Sequence, residues 1–396
     1  MEGDFVSLFF RGESRQVSVD TFFDGVGGSA TGAGVSVTPE KALTVDAMWS
    51  SVNLLASVVA NLPVDVFRGS GTNKTPVNPA PAFISSPSLL VTRREWVYQA
   101  MVSLLLRGNA YGMVTEWAVE KPRTVEWLDP ATVKVTQKSS LRAPTYSVNN
   151  EEIPASQLIH LRAFVKPGSA VGMSPVQYRA ETLGISLAAR EYGAGFYADG
   201  GHPTAIFANT NQTVSADDAK VVKERFREVI ANKREALVTG SDWKYTPIQV
   251  APQEADFVAS MGYSDAQIAR MYGPGLAEVL GYQTGGSSLT YTNRVDRSLD
   301  LLTYTVLPWV SKFDDFYTSA IPKPQTARTN VNALLRADPK TRMDMFRTAR
   351  EIGFYNIDEE RSLEDLPPLP DGLGQDYTPL KSASPNGSAT TPQEIP

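Results

Sequence analysis

The longest hydrophobic pattern in this chain lies in its C-terminal half. Apolar side chains recur every three or four residues through residues 291–321, which places them on one face of a helix. They are Val295, Leu299, Leu302, Val306, Trp309, Phe313 and Phe316. Pro308 interrupts the pattern, and because proline has no amide hydrogen and clashes with the preceding turn, we expect a kink there. An uncharged, glycine- and serine-rich loop, residues 281–290, leads into this helix.

The N-terminal half alternates helical and strand patterns. Apolar residues at helical spacing predict a helix from Thr44 that stops at Pro63, and a second helix from Arg93 that ends at Gly108 as its C-cap. Four short runs rich in β-branched and aromatic residues follow between Gly108 and Phe164, separated by Pro, Asn and Gly. This order predicts an α+β fold with an antiparallel sheet.

Residues 172–201 predict a long helix that begins with Ser174 as N-cap and Pro175 at its first position. The helix is rich in small residues, namely Ala180, Gly184, Ala188, Ala189, Gly193, Ala194 and Gly195. Several glycines inside a helix are unfavourable unless packing offsets them. We therefore expect this helix to pack against neighbours within an assembly.

Residues 203–252 form a compact strand–helix–strand insert. Its helix is expected to bury Phe226, while the opposite face mixes basic residues, among them Lys220, Lys223 and Arg227, with acidic ones. A face that mixes positive and negative charges favours a solvated or subunit-facing surface over a surface that clamps nucleic acid.

The two ends of the chain differ from its middle. Residues 1–40 are predicted to be a flexible arm, because residues 25–39 are nearly devoid of large side chains. Residues 366–396 are rich in Pro, Gly and Ser and are predicted to be disordered.

The amino-acid composition excludes several classes of function. With 396 residues and 42% hydrophobic content the chain can bury a large core. The net charge of −6 argues against a strongly basic DNA-clamping surface. The absence of cysteine excludes disulfides and thiolate chemistry, and no apolar run reaches the length of a membrane span. Neither secretion nor membrane insertion is indicated.

Sequence motifs for catalysis are missing. The chain contains no P-loop, GxGxxG, GxSxG or HExxH motif. His160 lies in a predicted strand and is expected to be a hydrogen-bonded structural residue, and adjacent carboxylates such as Asp314 and Asp315 are expected to be solvated. We therefore predict no catalytic residue, no metal site and no cofactor, and a protein that is not an enzyme.

Six segments in a fixed order resemble the portal proteins of tailed bacteriophages, of the long-tailed siphophage type. They are MWSSVNLLASVVANLPVDVF, LLLRGNAYGMV, LIHLRAF with VGMSPVQYRAETLGISLAAREYGAGFYADGGHPTAIF, DAQIARMYGPGLAEVLG, SSLTYTNRVDRSLDLLTYTVLPWVSKFDDFY, and NVNALLRADPKTR with GFYNIDEER. Together they cover residues 45–365. MYGPGLAEVLG departs from the family, which commonly has a Val-Pro-Pro type sequence there, so the local geometry of this turn needs its own explanation.

The resemblance implies a portal-like fold with named parts. These are a wing at 41–171 to which 322–337 returns, a first stem helix at 172–202, a clip at 203–252, a second stem helix at 253–280, a tunnel loop at 281–290, a kinked helix at 291–321 and a helical crown at 338–365.

The resemblance also implies a function. Identical subunits would form a ring, a dodecamer in this family, which is assembled in the host cytoplasm and stands at one capsid vertex of the virion. Double-stranded DNA would be packaged and ejected through it, with the terminase large subunit, a head–tail adaptor and the major capsid protein as partners. The residues implied to face DNA are Tyr282, Gln283, Thr284, Gly285, Gly286, Ser287, Ser288, Leu289 and Thr290. Those implied to make clip or subunit contacts are Lys220, Lys223, Phe226 and Arg227.

Two other functions remain open from the residues alone. One is a virion scaffold or adaptor protein without a DNA channel, and the other is an acidic-site nuclease or hydrolase. A closed ring in negative-stain images would favour a portal over either, whereas turnover that depends on a divalent cation would favour the enzyme.

Overall fold

The computed structural model describes residues 28–69, 73–138, 141–198, 205–209, 215–231, 243–247, 264–282, 298–331, 339–364 and 366–378. The chain divides into two compact units, Met1–Thr329 and Asn330–Pro396. Each unit is described by itself below.

Helices and short strands alternate in the first unit. Its helices are Pro39–Ala42 (α1), Asp46–Asn61 (α2), Ala82–Ser85 (α3), Arg93–Arg107 (α4), Pro175–Tyr178 (α5), Ala180–Ala198 (α6), Ala216–Ala231 (α7), Leu276–Val279 (α8) and Leu307–Ala320 (α9), with further helical residues at 264–270 and 298–300 and a π-helical segment at Leu301–Val306. Its strands are Ser29–Ala30 (β1), Ser36–Val37 (β2), Val64–Arg68 (β3), Thr75–Pro76 (β4), Asn109–Ala118 (β5), Lys121–Leu128 (β6), Val133–Thr136 (β7), Thr145–Val148 (β8), Glu151–Ile153 (β9), Leu158–Arg162 (β10), Ala205–Asn209 (β11), Trp243–Pro247 (β12) and Gln325–Thr329 (β13).

The strands form small antiparallel sheets. Their orders are β1-β2, β13-β3-β4, β10-β5-β6, β7-β8-β9 and β11-β12. The pairing of β13 with β3 joins residues far apart in sequence, since Thr329 lies opposite Val64 and Gln325 opposite Arg68. The predicted α+β class is confirmed.

Two core regions hold the sheets and helices together. In the first, Trp96 of α4 is fully buried, donates its indole N–H to the Val125 carbonyl over 2.6 Å, and stacks on Phe316 of α9. In the second, Tyr111 of β5 packs with Val135 of β7 and other apolar residues of the neighbouring strands. Aromatic residues contribute the most buried area per side chain, so these contacts are the main support of the sheet and helix layers.

The start of the first unit differs from the flexible arm expected over residues 1–40. Residues 28–42 contain the β1-β2 hairpin and α1, and Thr38 caps α1 by accepting from the Lys41 amide. The hairpin lies on α6, where both oxygens of the Glu181 carboxylate accept from the Gly32 amide at 3.0 and 3.1 Å. A Cβ on Gly184 would come within 2.6 Å of the Thr31 hydroxyl, so this helical glycine makes room for the hairpin.

The segment predicted as a second stem helix, 253–280, is interrupted in its described part. Helical structure covers 264–270, and the chain then turns through Gly273, Pro274 and Gly275 before α8 begins. Gly273 and Gly275 have φ of +141° and +83°, which no continuous right-handed helix can contain.

The second unit contains the helices Pro339–Glu351 (α10) and Ile357–Leu363 (α11). Asn356 and Glu359 form a capping box at the start of α11. The following residues were expected to be disordered from 366 onward, but residues 366–378 pack on this helix: Asp358 accepts from the Leu369 amide over 2.7 Å and donates its own amide to the Gly374 carbonyl. The carboxylate of Asp358 therefore orders the first part of the predicted tail.

Within the described residues, no helix combines the length and apolar character needed to cross a bilayer.

Candidate functional site

The junction between the end of α4 and the segment that leads into α5 is built from close backbone contacts. Gly108, with φ of +72°, ends α4, and its carbonyl accepts from the Ala163 amide over 2.8 Å. A Cβ on Gly172 would lie 2.1 Å from the Gly108 carbonyl oxygen and 2.3 Å from that of Ala163. The buried Asn109 side chain completes the junction, because its oxygen accepts from the Gly172 amide at 2.7 Å and its nitrogen donates to the Gly172 carbonyl at 3.1 Å.

His160 of β10 belongs to the same polar cluster. Its Nε2 lies 2.9 Å from Asn109 Oδ1, an atom that can only accept, so Nε2 carries the proton. Nδ1 then accepts from the Tyr146 hydroxyl over 3.2 Å, and the ring stacks on Tyr111 with centroids 4.4 Å apart. Burial, reinforced by the charge of Arg162, lowers the pKa of His160 to about 3. The imidazole is therefore neutral at pH 7 and structural, as the sequence predicts.

A cleft of about 580 Å³ opens between β10 and α9. Its lining includes His160, Arg162, Lys312 and Asp315 over an apolar floor that contains Phe316. Burial lowers the pKa of Lys312, and the nearby charge of Arg162 lowers it further, while Asp315 opposes the shift. Charges of both signs share the cleft, which is the pattern of a solvated surface depression.

Helix α6 contacts the start of α2 through polar side chains. Arg190 donates to the Thr44 carbonyl, and its guanidinium lies 3.8 Å from the Asp46 carboxylate. Ser186 of α6 and Ser264 share a hydroxyl–hydroxyl hydrogen bond. Burial raises the pKa of the neighbouring Asp265, and the Asp46 charge raises it further, while Arg190 opposes the shift. These contacts fix the first two-thirds of α6.

The remaining third of α6 has no buried side chain among the residues described. Leu183 and Leu187 are buried, but every residue from Arg190 to Gly195 is exposed or half-exposed. Ile185 is 58% exposed on the same helix, and a Cβ on Gly193 or Gly195 would meet nothing within 4 Å. The exposed part of α6 therefore includes Ile185 and the small residues Gly193, Ala194 and Gly195.

The helix before Pro308 contains a π-helical segment. Leu307 donates its amide to the Leu302 carbonyl, a five-residue spacing, directly before Pro308, which has no amide hydrogen to donate. The kink expected at Pro308 is therefore observed as a π-helical segment in the turn before the proline. After it, α9 is anchored by the buried Asp314, which accepts from the Thr329 amide and hydroxyl over 2.8 and 2.6 Å. Burial raises the pKa of Asp314, and the Thr329 hydrogen bonds oppose the shift.

The predicted site residues are described only in part. Tyr282 ends a described segment and donates its amide to the Ala277 carbonyl over 2.8 Å, whereas residues 283–290 lie outside the described residues. Lys220 and Lys223 are exposed on α7. Phe226 and Arg227 belong to the same helix, but their side chains lie outside the described set. The structure brings none of these residues together with Tyr282 in a described contact.

Several structural residues were not singled out by the sequence for the roles that they have. Gly172 and Gly275 accept close backbone neighbours, Gly273 accepts the side chain of Thr305, and Thr305 is a buried polar residue inside the π segment. The Gly-Pro-Gly sequence at 273–275 could have indicated this turn. Glycines stand there where the family commonly has other residues, and glycine favours backbone angles that other residues rarely adopt.

The chemistry of the described residues is structural. No group of three or more His, Cys, Asp or Glu side chains in the described ranges is arranged to hold a metal ion. The buried polar groups treated above, His160, Asn109 and Asp314, are hydrogen-bonded to neighbouring parts of the fold.

Comparison with known proteins identifies the family. The family profile of the phage portal protein matches residues 46–365, so the chain belongs to the phage portal protein family, as its sequence motifs predict. The family is structural. The chain is 26% identical to the probable portal protein of Streptomyces phage phiC31, over 88% of this chain and 80% of that protein. It is also 26% identical to the portal protein of Enterobacteria phage HK97, over 85% of this chain and 82% of that protein.

Solved structures share the fold. The crystal structure of an HK97 family phage portal protein from Corynebacterium diphtheriae superposes with a TM-score of 0.57 at 17% identity, covering 79% of this chain and 99% of that one. A chain from the neck of the native GTA particle, computed with C12 symmetry, gives a TM-score of 0.54 at 16% identity, covering 83% and 92%.

Proposed function

We propose that this chain forms a homo-oligomeric ring, a dodecamer, at one capsid vertex of a phage virion, and that double-stranded DNA is packaged and ejected through its channel. Membership of the phage portal protein family supports this function, and so does the fold shared with a chain from a particle neck of C12 symmetry. The proposed partners are the terminase large subunit, a head–tail adaptor at the clip and the major capsid protein. The ring is assembled in the host cytoplasm and becomes part of the virion.

The observation that carries the ring proposal is the exposed surface of α6, which includes Ile185 and the small residues Gly193, Ala194 and Gly195. Exposed apolar surface on a helix is stabilised when another surface covers it. A second copy of the chain is the occupant we propose. In a closed ring each subunit presents one patch to one neighbour and a different patch to the other, so a single such helix would be covered at every interface.

Substitution of Ile185 tests this contact. We expect Ile185→Ser to leave the isolated subunit folded, because exposed substitutions usually change stability by about 0.5 kcal/mol or less. Ring yield in native mass spectrometry should fall steeply, because the lost apolar contact, about 1.5 to 3 kcal/mol if fully buried, recurs at every interface. Val119→Ser is the matched control, since Val119 is 96% exposed in the β5–β6 turn and is not assigned to the ring contact. Equal ring yields for both variants would contradict the placement of α6 at the interface.

The DNA-facing role proposed for residues 282–290 rests on their sequence. The loop is uncharged, and a fixed positive charge at a constriction would add a phosphate contact that opposes sliding. We expect Ser288→Lys to reduce packaging, because the lysine is repeated around the ring, and we expect high salt to relieve the defect. The measurement is DNA content of particles assembled at low and high salt. Val119→Lys adds the same charge to the wing and serves as control.

Intact Ser288→Lys rings that package normally at both salt concentrations would remove this loop from the channel. An equal packaging defect in both lysine variants would assign the effect to net charge and not to the loop. Clip contacts of Lys220, Lys223, Phe226 and Arg227 remain part of the proposal and are supported by the mixed charge of α7.

A further inference from the structure

Two adjacent leucines are exposed to water on a turn whose backbone is fixed by hydrogen bonds. Leu89 is 65% and Leu90 is 80% exposed, in the segment before α4. The buried Ser88 hydroxyl donates to the Glu126 carboxylate, whose oxygens lie 2.9 and 2.7 Å away. The Leu89 amide donates to the same carboxylate over 2.8 Å, and the Leu90 and Val91 amides donate to the Ser88 hydroxyl oxygen. Leu89 and Leu90 are named the leucine pair below.

The fixed backbone of this turn favours a contact with another surface. Exposed apolar side chains are stabilised when a second surface covers them. A turn whose backbone is already ordered loses less conformational entropy on binding than a flexible loop does. The hydrogen bonds to Ser88 and Glu126 therefore prepare the leucine pair for binding.

The leucine pair lies at one edge of the sheet β10-β5-β6. The Val125 amide of β6 donates to the Pro87 carbonyl over 2.7 Å, and Glu126 of the same strand holds the turn. On its other side β6 pairs with β5. The segment that carries the leucine pair therefore covers the outer edge of β6.

The cleft of about 580 Å³ lies at the opposite edge of this sheet, beside β10. Among the strands described, β10 has a neighbour on one side only, which is β5. Four consecutive residues, Ile159–Arg162, line the cleft, although consecutive side chains of a strand point to opposite faces. The cleft therefore follows the free edge of β10. The other wall is one face of α9, formed by Lys312, Asp315 and Ser319 at spacings of three and four residues.

The cleft suits an apolar group in size and in lining. Its floor contains Phe316, and Val165 in its lining is 45% exposed. Arg162, Lys312 and Asp315 add charged groups to this lining. Apolar surface bordered by polar groups is typical of protein interfaces. Pockets that enclose drug-sized molecules measure about 300 to 1,000 Å³, so the cleft has room for two leucine side chains.

The positions of the two surfaces fit a second copy of the chain as the partner. They lie at opposite edges of one three-stranded sheet and face away from each other. A ring of twelve subunits turns by about 30° at each subunit, so the two surfaces that a subunit presents to its neighbours face in nearly opposite directions.

We propose that the leucine pair of each subunit inserts into the cleft between β10 and α9 of the next subunit. This contact rests on the proposed ring and adds a second contact to the one made by α6. Each subunit gives one leucine pair and receives another, which is the heterologous contact that a closed ring requires.

Crosslinking in the full-length protein tests this contact. The chain has no cysteine, so Leu90→Cys and Ser319→Cys can be combined and joined by a short bis-maleimide at low protein concentration. We expect a ladder of multimers on a denaturing gel that extends to the complete ring, because each copy is joined to both of its neighbours. Each single variant should remain monomeric on the gel.

The matched control combines Ser319→Cys with Leu141→Cys. Leu141 is 95% exposed between β7 and β8 and is not assigned to the contact, so we expect no ladder. A second comparison uses Leu90→Ser and Leu141→Ser, with folding checked by urea unfolding midpoints. The protein concentration needed for half-assembly should rise about tenfold in Leu90→Ser, from the loss of one buried leucine at each interface, and should stay unchanged in Leu141→Ser.

Rings in native mass spectrometry without a ladder from the double cysteine variant would overturn this contact and leave the ring proposal standing. Absence of both rings and ladder would overturn the ring proposal, and this contact with it. Crosslinked dimers from Leu90→Cys alone would also overturn the contact, because they would indicate a two-fold interface in which two leucine pairs face each other.

Discussion

Gly172→Ala is expected to prevent the chain from folding, or to lower its free energy of unfolding by more than about 4 kcal/mol. The new Cβ would lie 2.1 and 2.3 Å from two carbonyl oxygens, of Gly108 and Ala163, and 2.9 Å from the Ala163 amide nitrogen. All three atoms belong to the backbone, so no side-chain rotation can relieve the overlap. The Gly108 carbonyl also holds the Ala163 amide, and separating the strands would break that hydrogen bond.

The matched control is Gly193→Ala. Gly193 lies inside α6 with nothing within 4 Å of a Cβ, so alanine there should stabilise the isolated subunit by about 0.5 to 1 kcal/mol through its helix propensity. Soluble yield and urea unfolding midpoints measure both variants. A Gly172→Ala protein that expresses and unfolds like the wild type would show that the junction can open at low energy.

Acidification is expected to destabilise the wild type through His160. The pKa of His160 is about 3 in the folded protein and about 6.5 in the unfolded chain, so between these values the unfolded chain binds the extra proton. The stabilisation is complete above about pH 6.5 and declines as the pH falls toward 3. The limiting slope is about 1.4 kcal/mol per pH unit, or about 2.7 kcal/mol by pH 4.5. His160 keeps some solvent contact at the mouth of the cleft, so about 2.7 kcal/mol is an upper limit, because screening by water shortens the pH interval over which this slope applies.

His160→Gln separates this effect from the titration of carboxylates, which both proteins share. At pH 7.5 the variant should be less stable by about 1 to 2 kcal/mol, because it loses the stacking on Tyr111 and part of the hydrogen-bond network. By pH 4.5 the urea unfolding midpoints of the two proteins should converge or cross. Parallel pH dependences from 7.5 to 4.5 would mean that the His160 pKa is not lowered in the folded protein.

Local patterns in the chain were sufficient for much of the architecture. The predicted helix from Arg93 ends at Gly108, and Ser174 and Pro175 begin α5 as predicted, because capping and proline geometry depend on only a few neighbouring residues. The strand runs between 108 and 164 pair antiparallel as predicted, but in two separate sheets, β10-β5-β6 and β7-β8-β9. The ordered series of motifs also indicated the portal family, which the family profile confirms.

Other features arise only from contacts between residues distant in sequence. Gly184 was interpreted as a site of close helix packing, yet it receives Thr31 of a hairpin that the glycine-rich composition had suggested would be flexible. The neutral state of His160 follows from its burial, and the hydrogen-bond partners Asn109 and Tyr146 that surround it lie on other strands. The π-helical segment before Pro308 likewise contacts a distant turn, because the Thr305 hydroxyl donates a hydrogen bond to the Pro274 carbonyl.

Periodicity and capping therefore report which segments are helical or extended, because those preferences act over one or two turns of chain. Contacts between residues distant in sequence determine whether a glycine faces solvent or a carbonyl. They also determine whether a buried polar group has a hydrogen-bond partner. Only the tertiary structure determined the junction at Gly172 and the contact between Thr305 and the Pro274 carbonyl. At the first, the atoms that leave no room for a Cβ come from distant parts of the chain, and at the second, so does the carbonyl that accepts the hydrogen bond.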